Sequence, residues 1–295
     1  MAKPPKRKDL RPPGKCIFCG RTGLSKTHIW PDWLGRLLPF ADEHTEESIQ
    51  VSAPSAVGER HFIESRKRKQ GKVFSLKRYV ACEKCNTGWM ANFEDEMVKF
   101  AKPIFTSNDN IRLNERQIRI FSVWITLITI LAEYLPANNV GPIISHEERQ
   151  FVKTHLRPPD NWSIFYCSLK GNDWTQKFRK HSSGVFIALE TGPSPVSAQQ
   201  PNTQISSFGM GKLFVQVFTC PNNRVVEDYR IAARARGLNQ LWPAAGGFWP
   251  FTKGSAKFPT KLVLDDTEAD VVADAFNERL RIMLRIAHER QQALF

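Results

Sequence analysis

Four of the six cysteines fall into two C-x-x-C pairs, Cys16-Ile-Phe-Cys19 and Cys82-Glu-Lys-Cys85. Such a turn presents two sulfurs from one tight loop, half of a tetrahedral thiolate site, and two turns supply the four ligands zinc prefers. The N-terminus is basic and proline-rich with no apolar leader. We therefore expect a soluble protein in the reducing cytoplasm, where paired thiolates bind metal rather than oxidise. The 62 residues between the pairs are more than a minimal zinc ribbon needs, which implies an insertion. Cys167 and Cys220 lie in the apolar runs Trp162 to Leu169 and Leu213 to Cys220 and are expected in the core.

The elements that must position these cysteines are partly legible. Val73 to Val80 reads as a strand entering the second pair. Trp89, Phe93, Met97 and Phe100 recur at three to four residues, predicting a helix from about Thr87 that Pro103 stops. The second pair thus sits at a helix start. Pro31 fits the first turn of a short helix through Leu38. Asp42 to Ser65 shows no clear period and is expected to be an insertion loop with one strand near Arg60 to Ile63.

From Ile104 onward an α+β pattern takes over. Asn114 with Gln117, and Ser145 with Glu148, have capping-box spacing ahead of Ile118 to Leu135 and of a short helix ending before Pro158. Strands are expected at Trp162 to Leu169, Gly184 to Glu190, and Gln204 to Thr219, the last interrupted at Gly209 and Gly211 by a bulge or tight turn. A last helix is expected from Thr267, with Val272, Phe276, Leu280, Met283 and Ala287 as its buried stripe. Asp265, Asp266, Glu268 and Asp270 at its start suit the positive end of its dipole better than a metal. Trp242-Pro243 and Trp249-Pro250 are expected in an extended segment over a core.

The 295 residues carry a net charge of +13, unevenly placed. Residues 1–15 and 64–78 hold almost all of the excess, a distribution that suits a polyanion such as nucleic acid. Within the second block Arg66, Lys67, Arg68, Lys69, Lys72 and Lys77 are the expected phosphate contacts. The longest uncharged apolar run, Ile120 to Ala132, is shorter than the ~20 residues of a membrane span, so no membrane partner is expected.

Taken in order, Cys16-Ile-Phe-Cys19, Ser25-Lys-Thr-His28-Ile-Trp-Pro31 and Ala81-Cys82-Glu-Lys-Cys85-Asn86, leading into Gly88-Trp89, give the first third of the chain a resemblance to a known family. It resembles the zinc-containing HNH nucleases. Their ββα-metal fold carries C-x-x-C, a His-Ile-x-Pro segment, and C-x-x-C followed by His or Asn. It is similar to a bacterial subgroup with S-x-E-H-I-x-P-x-W-L and C-N-x-G-W-M signatures.

The resemblance implies a structural zinc on Cys16, Cys19, Cys82 and Cys85, a general base at His28, and Asn86 as a ligand of a catalytic Mg²⁺ or Mn²⁺. An Asn at a helix start is equally a good N-cap. The residue before the base is usually Asp, Glu or His, the second metal ligand, and here it is Thr27, a weak substitute. Lys77 stands where the family often has an Asn. His44 or His61 could replace a missing ligand, although surface positions suit both better. Glu94, eight residues after Asn86, could fix the histidine or a loop lysine, and is otherwise a solvated or salt-bridged carboxylate.

The expected organisation is a flexible basic arm (1–15), a zinc-braced HNH-like ββα-metal module (16–102) and an α+β domain with a small sheet and helices (103–295). The expected function is metal-dependent endonuclease cleavage of nucleic acid, DNA first. The alternative, favoured by Thr27, is a zinc-braced nucleic-acid-binding module that does not cut. A third class is an interaction protein whose basic tracts meet another acidic partner.

Overall fold

The computed structural model of the chain describes residues 14–38, 43–51, 62–70, 73–135, 142–171, 178–185, 201–243 and 256–275; for 43–51, 62–70 and 178–182 the description is of the backbone. His61, Lys72, Trp249, Pro250 and 276–295 lie outside it.

The N-terminal third begins with β1 (Leu24–His28), followed by α1 (Asp32–Leu37), with Pro31 as its N-cap. The strands β2 (Glu43–Val51) and β3 (Phe62–Gln70) come next, then β4 (Lys77–Cys82), which runs antiparallel to β1. Strand β4 feeds the short α2 (Glu83–Cys85), a widened turn Asn86–Met90 kinked at Gly88, and α3 (Ala91–Thr106). Met90, Met97, Ala101, Ile104 and Phe105 form the buried stripe of this helical run.

The remainder is built from β5 (Ile111–Leu113), α4 (Glu115–Ala132), α5 (His146–His155), β6 (Trp162–Leu169), β7 (Phe178–Val185), β8 (Thr203–Met210), β9 (Leu213–Thr219), α6 (Asn223–Ala235), β10 (Asn239–Trp242), β11 (Ala256–Phe258), β12 (Val263–Leu264) and α7 (266–275). Eight strands form one sheet in the order β10-β6-β9-β8-β7-β2-β3, with β12 added beside β6. The fold is therefore α+β. Among the described residues no helix is long and apolar enough to cross a membrane.

Strands β6, β8 and β9 are buried at every residue because both faces of the sheet are covered. One face, through Ile164, Tyr166, Phe208, Met210 and Val215, belongs to a hydrophobic cluster that also contains Phe18, Trp30 and Trp33, with Phe121 and Trp124 of α4. Trp30 meets Phe208 edge-on at 5.5 Å, and Trp33 lies 5.6 Å from Trp124. The opposite face, through Phe165, Cys167 and Phe214, packs under Ala233 of α6 and Ala269 and Ala273 of α7. The region of the cysteine pairs and the sheet thus share one core.

A second tie joins them. The β8–β9 hairpin turns in two residues, Gly211 and Lys212, with Gly211 at φ +56°. The Lys212 N–H donates to the Phe105 carbonyl at 2.9 Å, close to the end of α3. A Cβ on Gly211 would stand 2.4 Å from that carbonyl oxygen. Only glycine lets the hairpin come so near the helix end.

Both capping boxes form, Asn114 with Gln117 and Ser145 with Glu148. A third, unforeseen, pairs Asp265 with Glu268 ahead of α7, so the acidic cluster there caps a helix. Strand β6 has the bounds read from sequence, and the interruption near Gly211 is the hairpin turn.

Several elements differ from expectation. The described residues of the expected insertion loop 42–65 are sheet: β2 pairs β3 along its whole length and pairs β7 in parallel. Residues 73–75 form a helical turn, and the strand starts at Lys77. Strand β7 starts at Phe178, earlier than read, and 186–190 lie outside the described residues. Pro103 does not stop α3, because burial of Ala101, Ile104 and Phe105 carries the last turn past it. Helix α6 was missed, although Asn222 caps it and Val226 and Ala233 mark its buried side.

Candidate metal centre and the histidine beside it

The two cysteine pairs meet. Cys16 and Cys19 lie on a turn closed by the Gly20 N–H on the Cys16 carbonyl and the Cys16 N–H on the Arg21 carbonyl, both at 2.8 Å. Gly20 takes φ +70°, which bends the chain back. The Ile17 N–H bonds the Val80 carbonyl at 3.0 Å and the Glu83 N–H bonds the Gly23 carbonyl at 3.2 Å, so the first turn is stitched to the strand and helix of the second.

The ligand atoms of Cys16, Cys19, Cys82 and Cys85 all lie within 4.8 Å of one another, and Cys19 Sγ is 3.6 Å from Cys82 Sγ. Tetrahedral zinc with Zn–S bonds of ~2.3 Å sets its sulfurs ~3.8 Å apart. The four cysteines can therefore hold one metal ion, and the spacing is compatible with structural zinc.

Their thiols are tuned unequally. Burial opposes ionisation of Cys19, but the Arg21 N–H and hydrogen bonds from Cys16, Cys82 and Cys85 outweigh it and bring the thiol down to about 7. Burial pushes Cys85 up to about 12, while the Trp89 indole N–H beside it favours the thiolate. Among the described residues that buried N–H has no acceptor in hydrogen-bonding geometry. Phe18 packs edge-on against the same indole at 5.2 Å, sealing the cluster.

His28 is the last residue of β1, partly buried and directly opposite Lys77. Burial, and then the Lys77 charge, hold its imidazole below the ordinary range, with Asp32 acting against them. Asp32 opens α1 four residues later. Sequence reasoning passed over this carboxylate, and the signal for it was an acidic residue just after Pro31.

Asn86 follows Cys85 directly, and its Nδ2 donates to the Lys26 carbonyl of β1 at 3.4 Å. This brings Asn86 to the strand of His28, two residues from it, and leaves the amide oxygen for another partner. Asn86 is not the N-cap of α2, of the turn or of α3, which are Cys82, Cys85 and Met90; it closes α2 as its C-cap.

Thr27 is turned away into the core. It is 1% exposed, and its hydroxyl donates to the Ser25 carbonyl at 3.4 Å. Glu94, in the first turn of α3, is half-buried. Burial, aided by Asp95, pushes its carboxyl up to about 7.

Of the basic block, Lys77 is exposed beside His28. Arg66, Lys67, Arg68 and Lys69 lie on β3, at the edge of the eight-stranded sheet, not in a loop. His44 is on β2, opposite Lys69. No family model matches the chain, and neither does any curated protein or solved structure.

Proposed function

We propose that this chain is a metal-dependent endonuclease acting on DNA, with a zinc-braced ββα-metal module of the HNH type at its N-terminal end. The observation that carries this reading is the bond from Asn86 to the Lys26 carbonyl, which ties the residue after the second cysteine pair to the strand ending in His28. Further support comes from the order antiparallel β1 and β4 followed by a helix, with four cysteines clustered at the junction.

In this reading zinc on the four cysteines fixes the start of the helical run, and Asn86 with it. His28 takes a proton from the attacking water. An imidazole held below its ordinary range stays neutral, hence able to accept, at pH 7. The Asn86 amide oxygen is a hard donor suited to Mg²⁺ or Mn²⁺, which keeps several waters and takes substrate phosphate as a further ligand. When bound, that ion supplies positive charge to stabilise the developing phosphate charge and the leaving oxygen. Lys77 and the basic β3 neutralise flanking phosphates.

The experiment is nicking of supercoiled DNA with added Mg²⁺ or Mn²⁺ by wild type and His28→Ala. Loss of a general base costs ~10² to 10⁴ in rate, so the variant should bind DNA, keep its zinc and cut at that reduced rate. The second reading, a DNA-binding module that does not cut, is favoured by the burial of Thr27, which leaves the position before His28 with no outward ligand. DNA binding without cleavage by any divalent ion would establish it.

A further inference from the structure

The rows of the large sheet carry a charge pattern that the linear sequence conceals. Lys67 stands opposite Glu46, Glu46 opposite Lys180, and Lys180 opposite Phe208. Two residues along, Lys69 stands opposite His44, and His44 opposite Phe178. The intervening rows are Arg66–Glu47–His181–Ser207 and Arg68–Thr45–Arg179–Gly209. Residues of one row share a face of a sheet, and adjacent rows belong to opposite faces.

Lys67, Lys69 and Lys180 are therefore placed on the Phe208 face, and Arg66, Arg68 and Arg179 on the other. Within β2, β3 and β7 the lysine face holds one acidic residue, Glu46, and the arginine face holds three, Glu43, Glu47 and Glu64. Only the lysine face has an excess of positive charge. It is also the face that meets Trp30 through Phe208, and Trp30 follows His28 by two residues.

We infer that Lys67, Lys69 and Lys180 form a phosphate-binding track for duplex DNA on the sheet face shared with the His28 region, and that the interleaved arginines take no part. This rests on the nucleic-acid reading proposed above. It adds Lys180, more than a hundred residues away in sequence, and removes Arg66 and Arg68 from the contact set. Two strand spacings separate Lys67 from Lys180, about 10 Å, and two residues separate Lys67 from Lys69, about 7 Å. Each DNA strand presents a charge every ~3.4 Å along the helix axis, so a patch of this size meets several phosphates.

Lys180→Ala and Arg179→Ala make the sharpest comparison: chain neighbours with equal charge on opposite faces. Binding of the full chain to duplex DNA is measured across a series of salt concentrations without added divalent ion. Each lost phosphate contact lowers the slope of log K against log salt by about 0.9, so Lys180→Ala should suffer about threefold less affinity loss than wild type for a fourfold rise in salt. Arg179→Ala should keep the wild-type slope.

The triple variants Lys67→Ala/Lys69→Ala/Lys180→Ala and Arg66→Ala/Arg68→Ala/Arg179→Ala, matched for zinc content, should differ in the same sense by two to three slope units, from about 0.9 per contact. Equal slopes within either pair, or the larger effect on the arginine side, would overturn the track while leaving DNA binding intact. Wild type without salt-sensitive DNA binding would overturn the functional reading, and the track with it.

Discussion

His28 stands directly opposite Lys77 across the β1–β4 ladder, with Asp32 as the opposing charge nearby. Burial and the lysine favour the neutral imidazole; Asp32 favours the cation. If His28 is the base, cleavage falls as it protonates, so the acid limb of the rate profile should have its midpoint below the ordinary ~6.5. At saturating DNA, Lys77→Ala should move that midpoint up and Asp32→Asn should move it down. Identical midpoints in all three proteins would separate the limb from His28.

One zinc per chain should survive purification without added metal, and Cys82→Ala should lose it. Structural zinc in small modules contributes ~10 to 16 kcal/mol of apparent binding energy, so the variant should lose order first around β1, β4 and α2. Elemental analysis with thiol counting checks this. All four thiols are free, and a disulfide within either pair in a zinc-free protein would contradict the site.

Replacing Thr27 by Asp distinguishes a core position from a vacant ligand position. The side chain is sealed and its hydroxyl is bonded to Ser25, so a carboxylate there should cost several kcal/mol of stability and no metal affinity should be gained. Thr27→Val should cost only about 1 kcal/mol, the usual net loss for one hydrogen bond. Denaturant melts and metal titrations read the two quantities separately.

Glu94 is a pH-dependent liability. Its carboxyl is held up to about 7, above the unfolded value near ~4.3, so the folded chain retains a proton that the unfolded chain has lost. Its contribution to stability therefore falls as pH rises from about 4.3 to about 7 and is level above that. Glu94→Gln should be as stable as wild type near pH 4.5 and more stable by on the order of 2 kcal/mol at pH 8. A constant difference across that range would mean the carboxyl titrates normally.

Gly211→Ala should destabilise by about 2 kcal/mol or more. The positive φ alone costs ~1 to 2 kcal/mol for an alanine, and the new Cβ would meet the Phe105 oxygen at 2.4 Å and Leu38 Cδ2 at 2.7 Å. Thermal melts test this, with Gly20→Ala as a comparison: positive φ, but nothing within 4 Å of the added Cβ.

Local chemistry was readable and distant pairing was not. The four cysteines announce their cluster because ligand geometry constrains spacing within each pair, and Asn114 and Ser145 announce their helices because an orphan N–H needs a nearby oxygen. Strands β2 and β3 gave no such sign. Both are polar along most of their length instead of alternating apolar with polar, and what joins β2 to the sheet is a partner, β7, far along the chain. Asn86 was legible as a residue worth watching, but its bond to Lys26 joins positions 60 apart and follows from the fold alone. The depth of Thr27 was hidden too, since a bulge between Ser25 and Lys26 shifts the alternation along β1.

The bond from Lys212 to the Phe105 carbonyl imposes an order of events during synthesis. A chain leaving the ribosome can gather its four cysteines once residue 85 has emerged. The far end of α3 must wait for the β8–β9 hairpin, made more than a hundred residues later. Until then Trp30 lacks Phe208 beneath it, and the strand carrying His28 rests on an incomplete floor. A nascent chain therefore gathers its four cysteines before the floor beneath His28 is complete, and a ribosome that stalls between those points leaves the cysteine cluster formed without Phe208 under Trp30.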